Sequence, residues 1–148
     1  MANVTGDPVT YRIFNEIGII DQLATTAFRQ VLPHPLNTAM FGVLNHFVRL
    51  GDNKTPSELA AAFQVAKPSM SATLEKLQRA GFVDIVADLH DGRTKRVLIT
   101  HAGREARSRA VEATAVLFER ITTGLAGIDQ DALLSLLQHL RRTLDDAR

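Results

Sequence analysis

The chain has no cysteine and no tryptophan among its 148 residues. Without a thiol it can build no disulfide framework and no thiolate-based zinc site, and it cannot register oxidants by thiol chemistry. Aromatic residues are scarce too, seven Phe and one Tyr, so apolar positions fall mainly to Leu, Ala, Val and Ile. No apolar run approaches the roughly 18 residues that a membrane-spanning helix needs, and the N-terminus lacks a signal-peptide pattern. A soluble, cytoplasmic protein with no membrane partner is expected. An excess of either charge is also missing: 17 Lys+Arg face 16 Asp+Glu, a net +1. Taken alone, that balance argues against a strongly basic nucleic-acid binder.

What is present is ordinary for a globular chain: 45% hydrophobic and 22% charged residues. A compact unit of this length buries about 68–70% of its unfolded surface, enough for a self-sufficient core. The charge is unevenly spread. From Lys67 to Arg104 seven basic residues meet four acidic ones, a net +3, and the remainder of the chain carries −2. That asymmetry fits one basic face, and fits scattered solvated charges equally well.

Apolar residues at three- and four-residue steps from Phe14 to Val31 predict an amphipathic helix that closes at Pro33-His34-Pro35. A second helix is expected over about Leu36–Leu50, with Ala39, Met40, Val43, Leu44, Phe47 and Leu50 facing inward and Gly51 ending it. Thr55-Pro56-Ser57-Glu58 has the form of a capping box with proline at the first helical position. It opens a short helix that ends near Phe63. After Gln64-Val65-Ala66 another helix runs to Arg79 or Ala80, with Met70, Leu74 and Leu77 inside and Gly81 as its stop.

Beyond Gly81 the period changes. Two β-branched runs, Phe82–Ala87 and Lys95–Thr100, flank His90-Asp91-Gly92-Arg93, which predicts a hairpin closed by a type I′ turn at Asp-Gly. Thr100 is expected to cap one long helix through Ile121, and Asp129 to cap a last helix striped by Leu133, Leu136, Leu137, Leu140 and Leu144. Two short helices with a tight turn, then a hairpin, make a winged helix-turn-helix. The fold class is mainly α with a small β-hairpin wing.

Three stretches carry a resemblance to a known family. They are Thr55–Ala60; Val65–Ser71 with Leu77–Val83; and Asp88-Leu89-His90-Asp91-Gly92-Arg93 with Ile99–Gly103. With these the chain resembles the MarR family of bacterial transcriptional regulators, most specifically in its Asp-x-x-Asp-x-Arg wing. The resemblance implies one MarR-type domain over 1–148. Its winged lobe spans about 36–103, and dimerisation helices span about 8–32 and 104–146. It further implies a homodimeric repressor or activator on a pseudo-palindromic double-stranded operator, released in many members by a small phenolic or anionic ligand. Loss of that operator binding would leave a winged-helix protein-interaction module, the competing reading.

The residues expected at DNA are Lys67, Ser69, Ser71, Thr73 and Lys76 on the recognition helix, whose N-terminus favours short donors and phosphates. On the wing they are Arg93, suited to a narrow minor groove, and Lys95 and Arg96, of which alternation lets only one approach DNA. Ala72 offers only a methyl for thymine, and Glu75 is expected to face away. Asp88 and Asp91 are expected to shape the wing by pairing with arginines, Asp91 also favouring the turn. The five histidines show no i, i+4 metal pair, and no nucleophile elbow or phosphate-cradling loop occurs. No metal, cofactor or enzymatic activity is expected. A winged lobe does not need two long terminal helices to close its own core, so those stripes point to an intertwined homodimer rather than to packing within one subunit.

Overall fold

The computed structural model describes residues 6–148, which form two compact units, one ending at Thr114 and one spanning Ala115–Arg148. The first holds α1 (Val9–Val31), α2 (Thr38–Leu50), α3 (Pro56–Phe63), α4 (Lys67–Arg79), β1 (Val83–Ala87), β2 (Lys95–Ile99) and α5 (His101–Ala113). The second holds α6 (Ala115–Gly124) and α7 (Gln130–Asp146).

Every apolar residue of the core lies between Leu36 and Ala110. Helix α2 is its axis. Met40, Val43, Leu44 and Phe47 are buried, and the helix touches α1, α4 and α5. Its start is one residue pair later than the hydrophobic pattern suggests, because Asn37 accepts the Met40 N–H and caps it. Ala39 and Leu50, expected inside, are exposed; they lie at the edges of the stripe that Met40, Val43, Leu44 and Phe47 centre. Asn45 accepts two hydrogen bonds from Arg107, which fastens α2 to α5.

Two turns are too few for α3 to persist alone. Its capping box is complete: Thr55 Oγ1 accepts from Glu58 N–H, and Glu58 Oε2 accepts from Thr55 N–H. Such a cap contributes about 1 kcal/mol, and burial of Leu59 and Ala60 supplies the rest of the anchor. Gln64 ends the helix with φ 52, a left-handed cap without glycine, and points the chain into α4. Helix α4 then buries Met70, Leu74 and Leu77 against the other two.

The hairpin is antiparallel, with Val83 opposite Ile99 and Ala87 opposite Lys95. A two-residue type I′ turn does not close it. The strands stop at Ala87 and Lys95, and Gly92 has no positive φ. Instead the intervening loop is folded on two aspartates. Asp88 Oδ1 accepts from the N–H groups of His90 and Asp91, and Asp91 Oδ1 accepts from Arg93 N–H. These local bonds outcompete the Asp-Gly turn. On its other edge β2 is paired as well: Val97 exchanges backbone bonds with Asn53 and Lys54, and Asp52 Oδ2 accepts from Ile99 N–H.

The long helix expected after Thr100 is two helices. Thr114, only 1% exposed, donates its hydroxyl to Val111 O at 2.6 Å, and its N–H is shared by Ala110 and Val111. The tightened turn separates α5 from α6. Asp129 caps α7 as the sequence suggests. Neither α1, 23 residues long, nor α7, 17 long, buries a single residue. Helix α1 is attached to α2 near its C-terminus, where the Phe28 and Phe41 rings lie 6.2 Å apart.

Thr100 also ties the hairpin base to α5: its hydroxyl donates to Gly81 O and accepts from Gly103 N–H. Gly103 is required there, since a Cβ would strike the Phe82 carbonyl and press on Ile99. Gly103→Ala should therefore lose about 2 kcal/mol or more in urea unfolding, despite alanine's better helix propensity. An unchanged midpoint would mean that α5 can slide away from the hairpin.

Candidate nucleic-acid interface

At 100° per residue, Leu74 and its buried neighbours define the inner face of α4. Ala72, Glu75 and Arg79 form the crown opposite, Ser69 and Lys76 one flank, and Ser71 and Gln78 the other. Lys67, Ser69, Ser71 and Lys76 are exposed. Thr73 is half-buried, and its hydroxyl donates to Ser69 O at 3.2 Å, so the expected surface donor is used within the helix. The N-cap, Ala66, contributes no side-chain acceptor to the first turn.

Between α4 and the hairpin runs a groove of about 380 Å³ lined by Ser71, Glu75 and Gln78 on one wall and Val86, Gly92 and Lys95 on the other. Glu75 thus faces the wing. Gln78 is a polar side chain of this surface that the sequence reading passed over; its spacing of seven from Ser71 is the signal that places both on one flank.

Lys95 and Arg96 separate as strand alternation requires. Lys95 lines the groove. Arg96 turns to the other face and is held in ion pairs there. Its Nε donates to Asp88 Oδ2 at 2.6 Å, its Nη1 donates to Asn53 O at 3.2 Å, and Nη1 lies 3.7 Å from Glu58 Oε2. Asp91 differs from expectation. It meets no arginine side chain; its second oxygen accepts from Thr94 Oγ1 at 2.9 Å. The anchors Glu58 and Asn53 were hidden in the sequence because the partner lies up to 43 residues away.

Among the described residues, Lys67, Lys76, Arg79, Arg93 and Lys95 take part in no ion pair. The nearby carboxylates of Asp88 and Glu58 are drawn onto Arg96. Those five cations stay uncommitted while Arg96 offsets one of the two carboxylate charges it meets, a local asymmetry that a net +1 conceals. No three metal-ligating side chains converge among the described residues. His46 packs its ring 5.4 Å from that of Phe63, and burial pushes its pKa down, aided by Lys54 and Arg49.

The hydrogen bond from Arg96 holds the Asp88 carboxyl below the usual carboxylate range, with His90 N–H adding to it. Glu58 is lowered first by Thr55 N–H and then by Arg96. A depressed carboxylate stabilises the folded form fully above its unfolded value, about 4, and that contribution fades as pH falls through the lower native value. Backbone order of residues 88–94, followed by NMR relaxation, should accordingly decline below about pH 4. Asp88→Asn should loosen the same loop at pH 7 while core signals stay put. A wing equally ordered in that variant would mean that the Arg96 pair does not hold it.

Residues 34–94 match the model of the MarR family. Among solved structures, a transcriptional regulator from Thermotoga maritima is 25% identical, with 93% of this chain and 95% of that one covered and a TM-score of 0.60. FabT from Streptococcus pneumoniae, solved in complex with DNA, is 17% identical over 94% of this chain and 99% of its own, at a TM-score of 0.70. The organohalide-sensing regulator RdhR, solved in its 2,4-dichlorophenol-bound form, is 18% identical over 97% and 89%, at 0.71. Residues 34–94 thus carry the match to the MarR family, and the chain as a whole has the fold of solved transcriptional regulators.

Proposed function

We propose that this chain is a sequence-specific DNA-binding repressor that works as a homodimer on a pseudo-palindromic operator. The observation that carries the reading is the run of unpaired cations from Lys67 through Lys76 and Arg79 on α4 to Lys95 and Arg93 on the wing. In each copy α4 enters a major groove. Ser69 and Ser71 approach base edges or phosphates, Lys67 and Lys76 neutralise the backbone, and Arg93 reaches the neighbouring minor groove. Arg96, Asp88 and Asp91 position the wing without touching DNA. Similarity to FabT, captured on DNA, supports this assignment.

Dimerisation follows from the stripes left open on the terminal helices. On α1, Tyr11, Phe14, Ile20 and Leu23 are exposed, the last at 67%; on α7 Leu133, Leu134, Leu136 and Leu137 are exposed. Contiguous apolar surface of this kind marks an interface, and a second copy covers each stripe. The whole chain then acts as one MarR-type domain, its lobe of about 36–103 reading DNA.

Release by a small ligand fits a cavity of about 440 Å³ between the start of α2 and the end of α4, lined by Pro35, Asn37, Met40, Lys76 and Arg79. Two cations beside apolar walls suit an aromatic anion, and occupation would compete with phosphate for the same side chains. RdhR, bound to a chlorophenol, is a precedent for aromatic effectors on this fold. Coupling of this type amounts to about 1–3 kcal/mol, or roughly 5–150-fold in affinity. The second reading, a protein-interaction module, is favoured only by the crown of α4, where Ala72 and Glu75 offer no bidentate base reader.

Footprinting on the chain's own upstream DNA should protect two half-sites about one helical turn apart, with affinity falling steeply as salt rises. Equal, weak binding to every sequence would support the interaction module instead. Arg93→Ala should weaken binding to all sequences and reduce the salt slope by about one, whereas Ser71→Ala should cost discrimination more than affinity. By sedimentation, Leu23→Glu should weaken self-association by an order of magnitude or more; an unchanged dimer would place the interface elsewhere, and a wild-type monomer would overturn the homodimer.

A further inference from the structure

Leu89 sits on the wing loop with 98% of its surface exposed, more than any other large hydrophobic residue described. Isolated apolar side chains on a surface are common and need no explanation. Leu89 differs in how it is held. The residue before it is fixed on every side: Asp88 N–H donates to Thr94 O at 2.8 Å, Asp88 Oδ1 accepts from His90 N–H at 2.8 Å, and Asp88 Oδ2 receives the Arg96 bond. The chain turns around the Asp88 carboxylate and carries Leu89 at the outside of that turn. Leu89 stands at the rim of an open concavity that Val86, Arg96 and Leu98 also line, and it remains almost wholly exposed there.

The surroundings identify the kind of surface that would receive it. Arg93, across the same loop, and Lys95, at its foot, are exposed and without ion pairs among the described residues, whereas the loop's two carboxylates are engaged by Arg96 and Thr94. An exposed apolar side chain on a hydrogen-bonded loop that also carries the uncommitted Arg93 suits a polyanion with a stacked, apolar interior. We propose that Leu89 is a wedge that enters the minor groove with Arg93 and packs against a base step, partly unstacking it. The inference rests on the DNA-binding reading above and deepens it. It makes the wing a specificity element that selects deformable pyrimidine–purine steps rather than a backbone clamp alone.

The test uses a duplex enriched by the full chain from a random pool, with 2-aminopurine placed at successive steps under the wing. Wild type should raise the fluorescence at one step of each half-site. Leu89→Ala should abolish that rise and lower affinity on the order of tenfold at an unchanged salt slope, since no charge is lost. Leu89→Met should restore both, while Arg93→Ala should lower the salt slope by about one. Leu89→Ala binding with wild-type affinity and an intact fluorescence rise would overturn the wedge and leave DNA binding standing. A pool that yields no enriched sequence would overturn both. Because Leu89 is fully exposed, its substitution leaves the core untouched, and denaturation midpoints should confirm that the variants fold alike.

Discussion

The Arg96 guanidinium is the contact on which the winged surface depends. It joins the wing's Asp88, the backbone carbonyl of Asn53 and the Glu58 carboxylate of the α3 cap. Those three groups come from parts of the chain that share no helix, so one side chain ties the wing loop to the helix-turn-helix, beside the backbone pairing of β2 with Asn53 and Lys54. Glu58 already accepts from Thr55 N–H, and Asp88 already gathers two loop N–H groups. Each carboxylate is therefore oriented by bonds of its own as well as by Arg96. Arginine suits the position because its planar fork can serve several oxygens at once, which a lysine ammonium does less directionally.

A consequence of that network is electrostatic. Arg96, committed to Asp88 and Glu58, offsets one of their two negative charges and leaves the other cations of the lobe uncommitted. The surface left behind carries Lys67, Lys76, Arg79, Arg93 and Lys95, with Glu75 facing the groove beside Lys95. Long-range attraction for a polyanion depends on this local field more than on the net charge. The near balance of Lys+Arg and Asp+Glu over the chain is thus no guide to what its reading face can bind.

Periodicity, caps and glycine stops made the helices legible, and the capping box at Thr55 and the caps at Thr100 and Asp129 fold as their sequences suggest. The features that escaped are those decided by competition or by distance. Asp91-Gly92 reads as a tight turn only if nothing else claims the carboxylate; here Arg93 N–H and Thr94 Oγ1 do. Thr114 reads as one more helical residue, yet its N–H is shared between the Ala110 and Val111 carbonyls where α5 ends. Pairing of β2 with Asn53 and Lys54 has no local signature at all, because backbone supplies both sides. On the candidate interface, strand alternation told that Lys95 and Arg96 part company, but not which of them faces inward. That choice is set by Val97 and Ile99, whose burial puts Lys95 on the core-side face and Arg96 on the opposite one, where Asp88 and Glu58 meet it.

The glycine at 103 gives the lobe a property of a different order. With no side chain between them, the first turn of α5 rests directly on the Phe82 carbonyl, and Thr100 bolts the same corner to Gly81. This is a joint without play. A tilt of α5 would bear directly on the base of the strands, with the hairpin as its lever arm.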